Sequence, residues 1–169
     1  MPLSRTAAAL EVVEAHVANG SPGGVVENFL AQFIAVVLYA EMEDTVASTV
    51  REHITRCPGQ TIGLFIQNNM DNIIRRTPKS DIGKLVGQFG EAFRDEFEVR
   101  ISEQDVSRYS NVIAARHAAG HRQGSNVTLA EIQLGISAAN SIIEALEGCF
   151  ATDARLTASN RETTNDSAT

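Results

Sequence analysis

Tryptophan is absent from this 169-residue chain, and there are only two cysteines, two tyrosines and four prolines. Cys57 and Cys149 are too few and too far apart for a disulfide framework or a zinc-ligand set, and they read as buried or idle thiols. Long hydrophobic runs are missing too. The strongest lies between Glu27 and Glu41, with 13 uncharged residues, short of the ~20 that span a bilayer. No N-terminal stretch joins a basic flank, an apolar core and a cleavage site. Alternating apolar and polar runs, the mark of half-buried strands, do not occur. Also lacking are a P-loop, a His-Glu-x-x-His helix and any paired-cysteine motif. The net charge of −7 argues against a non-specific nucleic-acid coat protein. What remains is the expectation of one soluble, cytoplasmic, all-α domain over residues 1–150, with no membrane partner.

What is present has helical periodicity, predicting a bundle of about five to six helices. A first helix is expected over 4–18, with Leu3, Leu10, Val13 and Val17 inward. The second, 25–56, is apolar nearly all round in its first half, which predicts a central position or an oligomer interface. A third is expected over 61–76. Ile82, Leu85, Val86, Phe89, Phe93 and Phe97 predict a fourth, in which Gly83, Gly87 and Gly90 imply close approach to a neighbour. Ser102 and Asp105 have near capping-box spacing and open a fifth, extending to about residue 119; Thr128 and Glu131 open a sixth. There Leu129, Ile132, Ile136, Ala139, Ile143, Leu146 and Phe150 step 3-4-3-4-3-4, a bundle seam. Residues 151–169 hold one large hydrophobe, Leu156, and read as a flexible tail.

Chemistry-bearing residues concentrate in one place. Twelve of the 14 basic residues are arginine, and residues 106–130 hold three arginines and two histidines but no acid. At the end of the fifth helix stands Arg116-His117-Ala118-Ala119-Gly120-His121-Arg122, before the loop Gln123-Gly124-Ser125-Asn126. On a helical wheel, Tyr109 and Ile113 lie on the buried stripe, His117 continues it, and Arg116 and His121 flank it. An imidazole titrates near neutrality and can exchange a proton with a ribose hydroxyl or a leaving oxygen. A guanidinium can hold a phosphate bidentately and stabilise the charge of a phosphorane-like transition state. Elsewhere the signals are bland: Gly20-Ser-Pro-Gly-Gly reads as a plain loop, and His53 with Cys57 lacks an orienting third group.

The stretch from Arg116 to His121, the short Gly/Asn loop, and Val127-Thr128-Leu129-Ala130-Glu131-Ile132 opening the last helix together resemble the HEPN superfamily, specifically its RiboL-PSP-like group. The resemblance covers about residues 25–150. It implies an all-α bundle that dimerises, with two copies of the motif forming one composite cleft for metal-independent RNA cleavage. The products would be a 2′,3′-cyclic phosphate and a 5′-hydroxyl. Arg116 would bind the scissile phosphate, His121 act as general acid and base, and His117 assist. Glu43 would hold the arginine, with Arg122 and Asn126 in support. No metal or other cofactor is implied. Expected partners are an RNA, a second copy of the chain, and an antitoxin or other regulatory protein, in toxin–antitoxin, antiphage or stress RNA processing. The alternative is a catalytically inactive HEPN-like module that dimerises and binds a protein or nucleotide.

Overall fold

A computed structural model describes residues 3–20, 24–56, 78–120 and 127–166, with backbone alone at 119–120 and 152–166. Every element among them is a helix: α1 (Ser4–Asn19), α2 (Val25–Arg56), α3 (Lys79–Gly87), α4 (Glu91–Val99), α5 (Glu103–Gly120) and α6 (Leu129–Asp166). The all-α bundle is thus as the periodicity predicts. The helix expected over 61–76 lies outside the described residues.

The two predicted capping sites form. The backbone N–H of Asp105 donates to Ser102 Oγ at 3.0 Å, and the Ser102 hydroxyl donates to the Asp105 carboxylate at 2.7 Å. At α6 the box is reciprocal: Glu131 N–H donates to Thr128 Oγ1, while Thr128 N–H donates to Glu131 Oε2 at 2.8 Å. The Thr128 backbone N–H and hydroxyl hold the Glu131 carboxyl below its usual range.

Helix α6 packs on α5, α2 and α4, and α2 packs on α1, α5 and α6. The predicted seam supplies the contact: Ile132, Ala139, Ile143, Leu146 and Phe150 are buried, and Leu129 and Ile136 pack against the core. Opposite them lies one side of α2, including Ile34, Leu38, Met42, Val46 and Val50. The other side of its first half faces outward, so α2 is not buried all round. By length and hydropathy α2 passes for a membrane span despite its flanking glutamates, but 44% of its apolar window is packed inside the bundle.

Three expectations are corrected. The single fourth helix is two, α3 and α4, because Gly90 adopts φ 132°, a conformation that breaks a helix and that glycine alone tolerates easily. An ion pair between Lys79 and Glu98 ties the start of α3 to the end of α4. The backbone of α6 stays helical to Asp166, well into the segment read as a flexible tail. Residues 151–166 contain neither glycine nor proline, and extending an existing helix avoids the cost of nucleation. Finally, His117 is exposed, while Arg116 turns toward α2. Two turns of 3.6 residues carry the stripe from Tyr109 to position 116 rather than 117.

Close helix approach occurs at Gly83, where a Cβ would meet Glu98 and Phe97 of α4, and is tighter still at Gly135, on α6. A Cβ there would overlap the side chain of Val112, a fully buried residue of α5. Valine is stiff and cannot swing aside. Gly135→Ala is therefore expected to destabilise the protein by ~1–3 kcal/mol through overpacking, although alanine favours a helix by ~1 kcal/mol. Urea unfolding of the two proteins measures the difference.

Candidate functional site

The site is built where the last turns of α5 cross α2. Tyr109, Val112 and Ile113 anchor α5 in the core. One turn beyond Val112, Arg116 lays its guanidinium over the ring of Tyr39, with the guanidinium carbon 4.3 Å from the ring centroid. Tyr39 is buried, and Arg116 is half-buried. The ring supports one face of the cation and leaves the N–H edge that is not turned to His117 to address a ligand. Arg116 Nη1 lies 3.3 Å from His117 Nδ1. If the arginine donates, Nδ1 accepts and the neutral imidazole carries its proton on Nε2, toward solvent. The cation also stands near the carboxyl end of α5, where the helix dipole favours positive charge.

Of the predicted set, the structure brings together Arg116 and His117. Glu43 is half-buried on α2, one turn beyond Tyr39, but no ion pair joins it to Arg116 among the described residues. The contact that the structure gives the guanidinium on α2 is the face of Tyr39. His121, Arg122 and Asn126 lie outside the described residues; in sequence, His121 directly follows the last residue of α5. No group of three or more His, Cys, Asp or Glu side chains among the described residues has a metal-binding arrangement.

Two features escaped the sequence reading. One is Tyr39 as the platform for Arg116. The other is Glu41, 4% exposed, which caps the N-terminus of α1 from across the bundle. Its carboxylate accepts hydrogen bonds from the backbone N–H of Arg5 (2.8 Å), the backbone N–H of Thr6 (2.7 Å) and the Thr6 hydroxyl (2.6 Å). Burial alone would raise the Glu41 pKa; the Thr6 and Arg5 hydrogen bonds and the Arg5 charge outweigh it and hold the carboxyl below its ordinary value. The available signal was a carboxylate on the core face of α2, three residues after Leu38 and beside Met42.

A cleft of about 620 Å³ lies along the second half of α2, bordered by Glu41, Asp44, Glu52 and Glu147 with Arg5 and Arg56. Its carboxylates outnumber its cations, so it repels phosphate and is not where an RNA backbone would seat. One wall carries His53, stacked on Phe150 at 4.0 Å and edge-on to Phe89 and Phe93. That cluster joins α2, α4 and α6 and reads as core packing. Cys149 is buried nearby; burial pushes its thiol up to about 11, leaving it protonated and inert at neutral pH. Cys57 lies outside the described residues.

No family model matches the chain, and no curated protein or solved structure gives a match.

Proposed function

We propose that this chain is a metal-independent endoribonuclease of the HEPN type, with RNA as its substrate and Arg116, His117 and His121 as its working residues. The observation that carries this reading is the Arg116 fork, backed by Tyr39 and not engaged by a carboxylate among the described residues. A phosphodiester can then take two N–H contacts from the guanidinium edge that His117 does not hold. The ribose 2′-oxygen attacks phosphorus, His121 accepts its proton, and the 5′-oxygen leaves with a proton delivered by an imidazole. The bond broken is P–O5′, and the products are a 2′,3′-cyclic phosphate and a 5′-hydroxyl. Arg116 stabilises the added negative charge on the phosphorane. His117, bridged to Arg116, orients the fork.

A chain with net charge −7 gains little from non-specific attraction to RNA. The proposed substrate is therefore a particular RNA, or one delivered by a regulatory protein, in a cytoplasmic defence or stress setting. The exposed apolar face of α2 favours a second reading, a non-catalytic module that binds through that face.

The test is cleavage of total cellular RNA and tRNA in excess EDTA, wild type beside His121→Ala. Discrete fragments with 5′-hydroxyl ends, made by the wild type alone, are expected. Cleavage that persists in His121→Ala overturns the assigned chemistry, and no cleavage by either protein selects the binding module.

A further inference from the structure

The cleft along the second half of α2 takes no part in the chemistry placed at Arg116. Its lining on α2 is one stripe from Glu41 to Arg56, so the cleft follows that helix for about four turns, or ~22 Å at 1.5 Å per residue. A volume of about 620 Å³ spread over that length leaves a mean section of ~28 Å². The cleft is therefore a trough about as wide as one extended methylene chain, with a volume in the range that holds small ligands.

What the trough offers a ligand is acceptors. Thr45 donates its hydroxyl hydrogen to the carbonyl of Glu41 at 2.8 Å, so only its lone pairs can meet a ligand. Glu147, on the α6 wall, makes no ion pair among the described residues. Asp44 and Glu52, two turns apart on α2, each hold one arginine at the rim, Arg5 and Arg56 respectively. These exposed pairs are weak, and a carboxylate keeps further lone pairs for a second donor. The floor is apolar, formed by Phe150 stacked on His53.

The spacing selects the cation. No group of three or more His, Cys, Asp or Glu side chains among the described residues is arranged around one metal ion. A cation whose charges are spread along a line meets separated carboxylates where a point charge does not. Eight residues part Asp44 from Glu52, ~12 Å along the axis. The terminal nitrogens of a linear triamine with three- and four-carbon spacers are nine bonds apart, ~11 Å when extended at ~1.2 Å per bond. A basic peptide fits less well, because helical walls have no backbone groups left to pair with its main chain. An aliphatic amine brings N–H donors and methylenes alone, which match the acceptors of the walls and the apolar floor.

We infer that this trough binds a linear aliphatic polyamine, with terminal ammonium groups at Asp44 and Glu52 and an inner nitrogen at Glu147. This goes beyond the nuclease reading and does not rest on it.

Calorimetric titration of the intact chain with spermidine, at fixed low ionic strength, tests the site. One triamine per chain is expected, with sub-millimolar affinity. Putrescine has nitrogens five bonds or ~6 Å apart. It cannot reach both Asp44 and Glu52, and is expected to bind at least ~10-fold more weakly. Glu147→Gln is expected to lose roughly 5- to 10-fold in spermidine affinity. Ser48→Arg lays a long cationic side chain along the trough from an exposed position and is expected to abolish binding. Neither residue is in the core, so helical circular dichroism is expected to be unchanged. A wild type that binds no spermidine overturns the site. So does equal binding of spermidine, putrescine and magnesium, which is counterion attraction alone. Spermidine affinity that survives both substitutions overturns it as well. The titration needs no RNA, so failure of this site and failure of the nuclease are separately visible.

Discussion

Arg116→Ala is expected to lower RNA cleavage by ~10²–10³-fold, the usual cost of removing one preorganised group that stabilises transition-state charge. The loss should fall on turnover more than on RNA binding, because the fork meets its full charge only as the phosphorane forms. Arg116→Lys should recover little, since an ammonium cannot reproduce two parallel N–H contacts or stack flat on Tyr39. Tyr39→Leu keeps the arginine but removes the ring face beneath it. A cation–π contact of ~0.5–2 kcal/mol converts to a loss of roughly 2- to 30-fold, so this positioning residue should rank well behind the arginine. Single-turnover and steady-state rates on one defined RNA separate the three variants. Full activity in Arg116→Ala would remove Arg116 from the chemistry. Helicity is expected to be unchanged throughout, because the half-buried arginine lies at the edge of the packed face.

Glu41→Gln is expected to cost ~2–3 kcal/mol of stability at neutral pH, the range for losing charge-assisted hydrogen bonds within a buried group. For a chain of this length that corresponds to roughly 4–12 °C in Tm. The acceptor serves three donors at the start of α1, two of them backbone N–H groups that a helix terminus leaves unsatisfied. The sign of the pH dependence follows from the lowered carboxyl pKa. A group depressed in the folded state stabilises above its unfolded value near 4.5, and this contribution disappears as pH falls through the folded value. Urea midpoints at pH 7 and in the acid range should therefore converge for wild type and Glu41→Gln. A constant gap across that range would show that the charge of Glu41 contributes nothing and that only its shape matters.

Helix starts were legible in the chain because caps are local. Ser102 with Asp105 and Thr128 with Glu131 announce them within four residues, and both sites form. The α6 seam was legible for a similar reason, since its apolar residues recur with the period of the helix itself. The break at Gly90 was harder to read: the apolar period passes from Phe89 to Phe93 without a phase change, and only the backbone angle of one glycine reveals the turn.

The amino-acid sequence by itself determined the helical class, the capped starts of α5 and α6, the seam of α6 and the cluster of arginine and histidine near the end of α5. All of these follow from spacings shorter than two turns of helix. Tertiary structure decided what each face meets. It set Arg116 rather than His117 against α2, laid the arginine over Tyr39, and used Glu41 to cap α1 at Thr6, 35 residues away in sequence. Those contacts depend on where two helices cross, and a crossing point is fixed by packing many side chains at once, which no local spacing encodes.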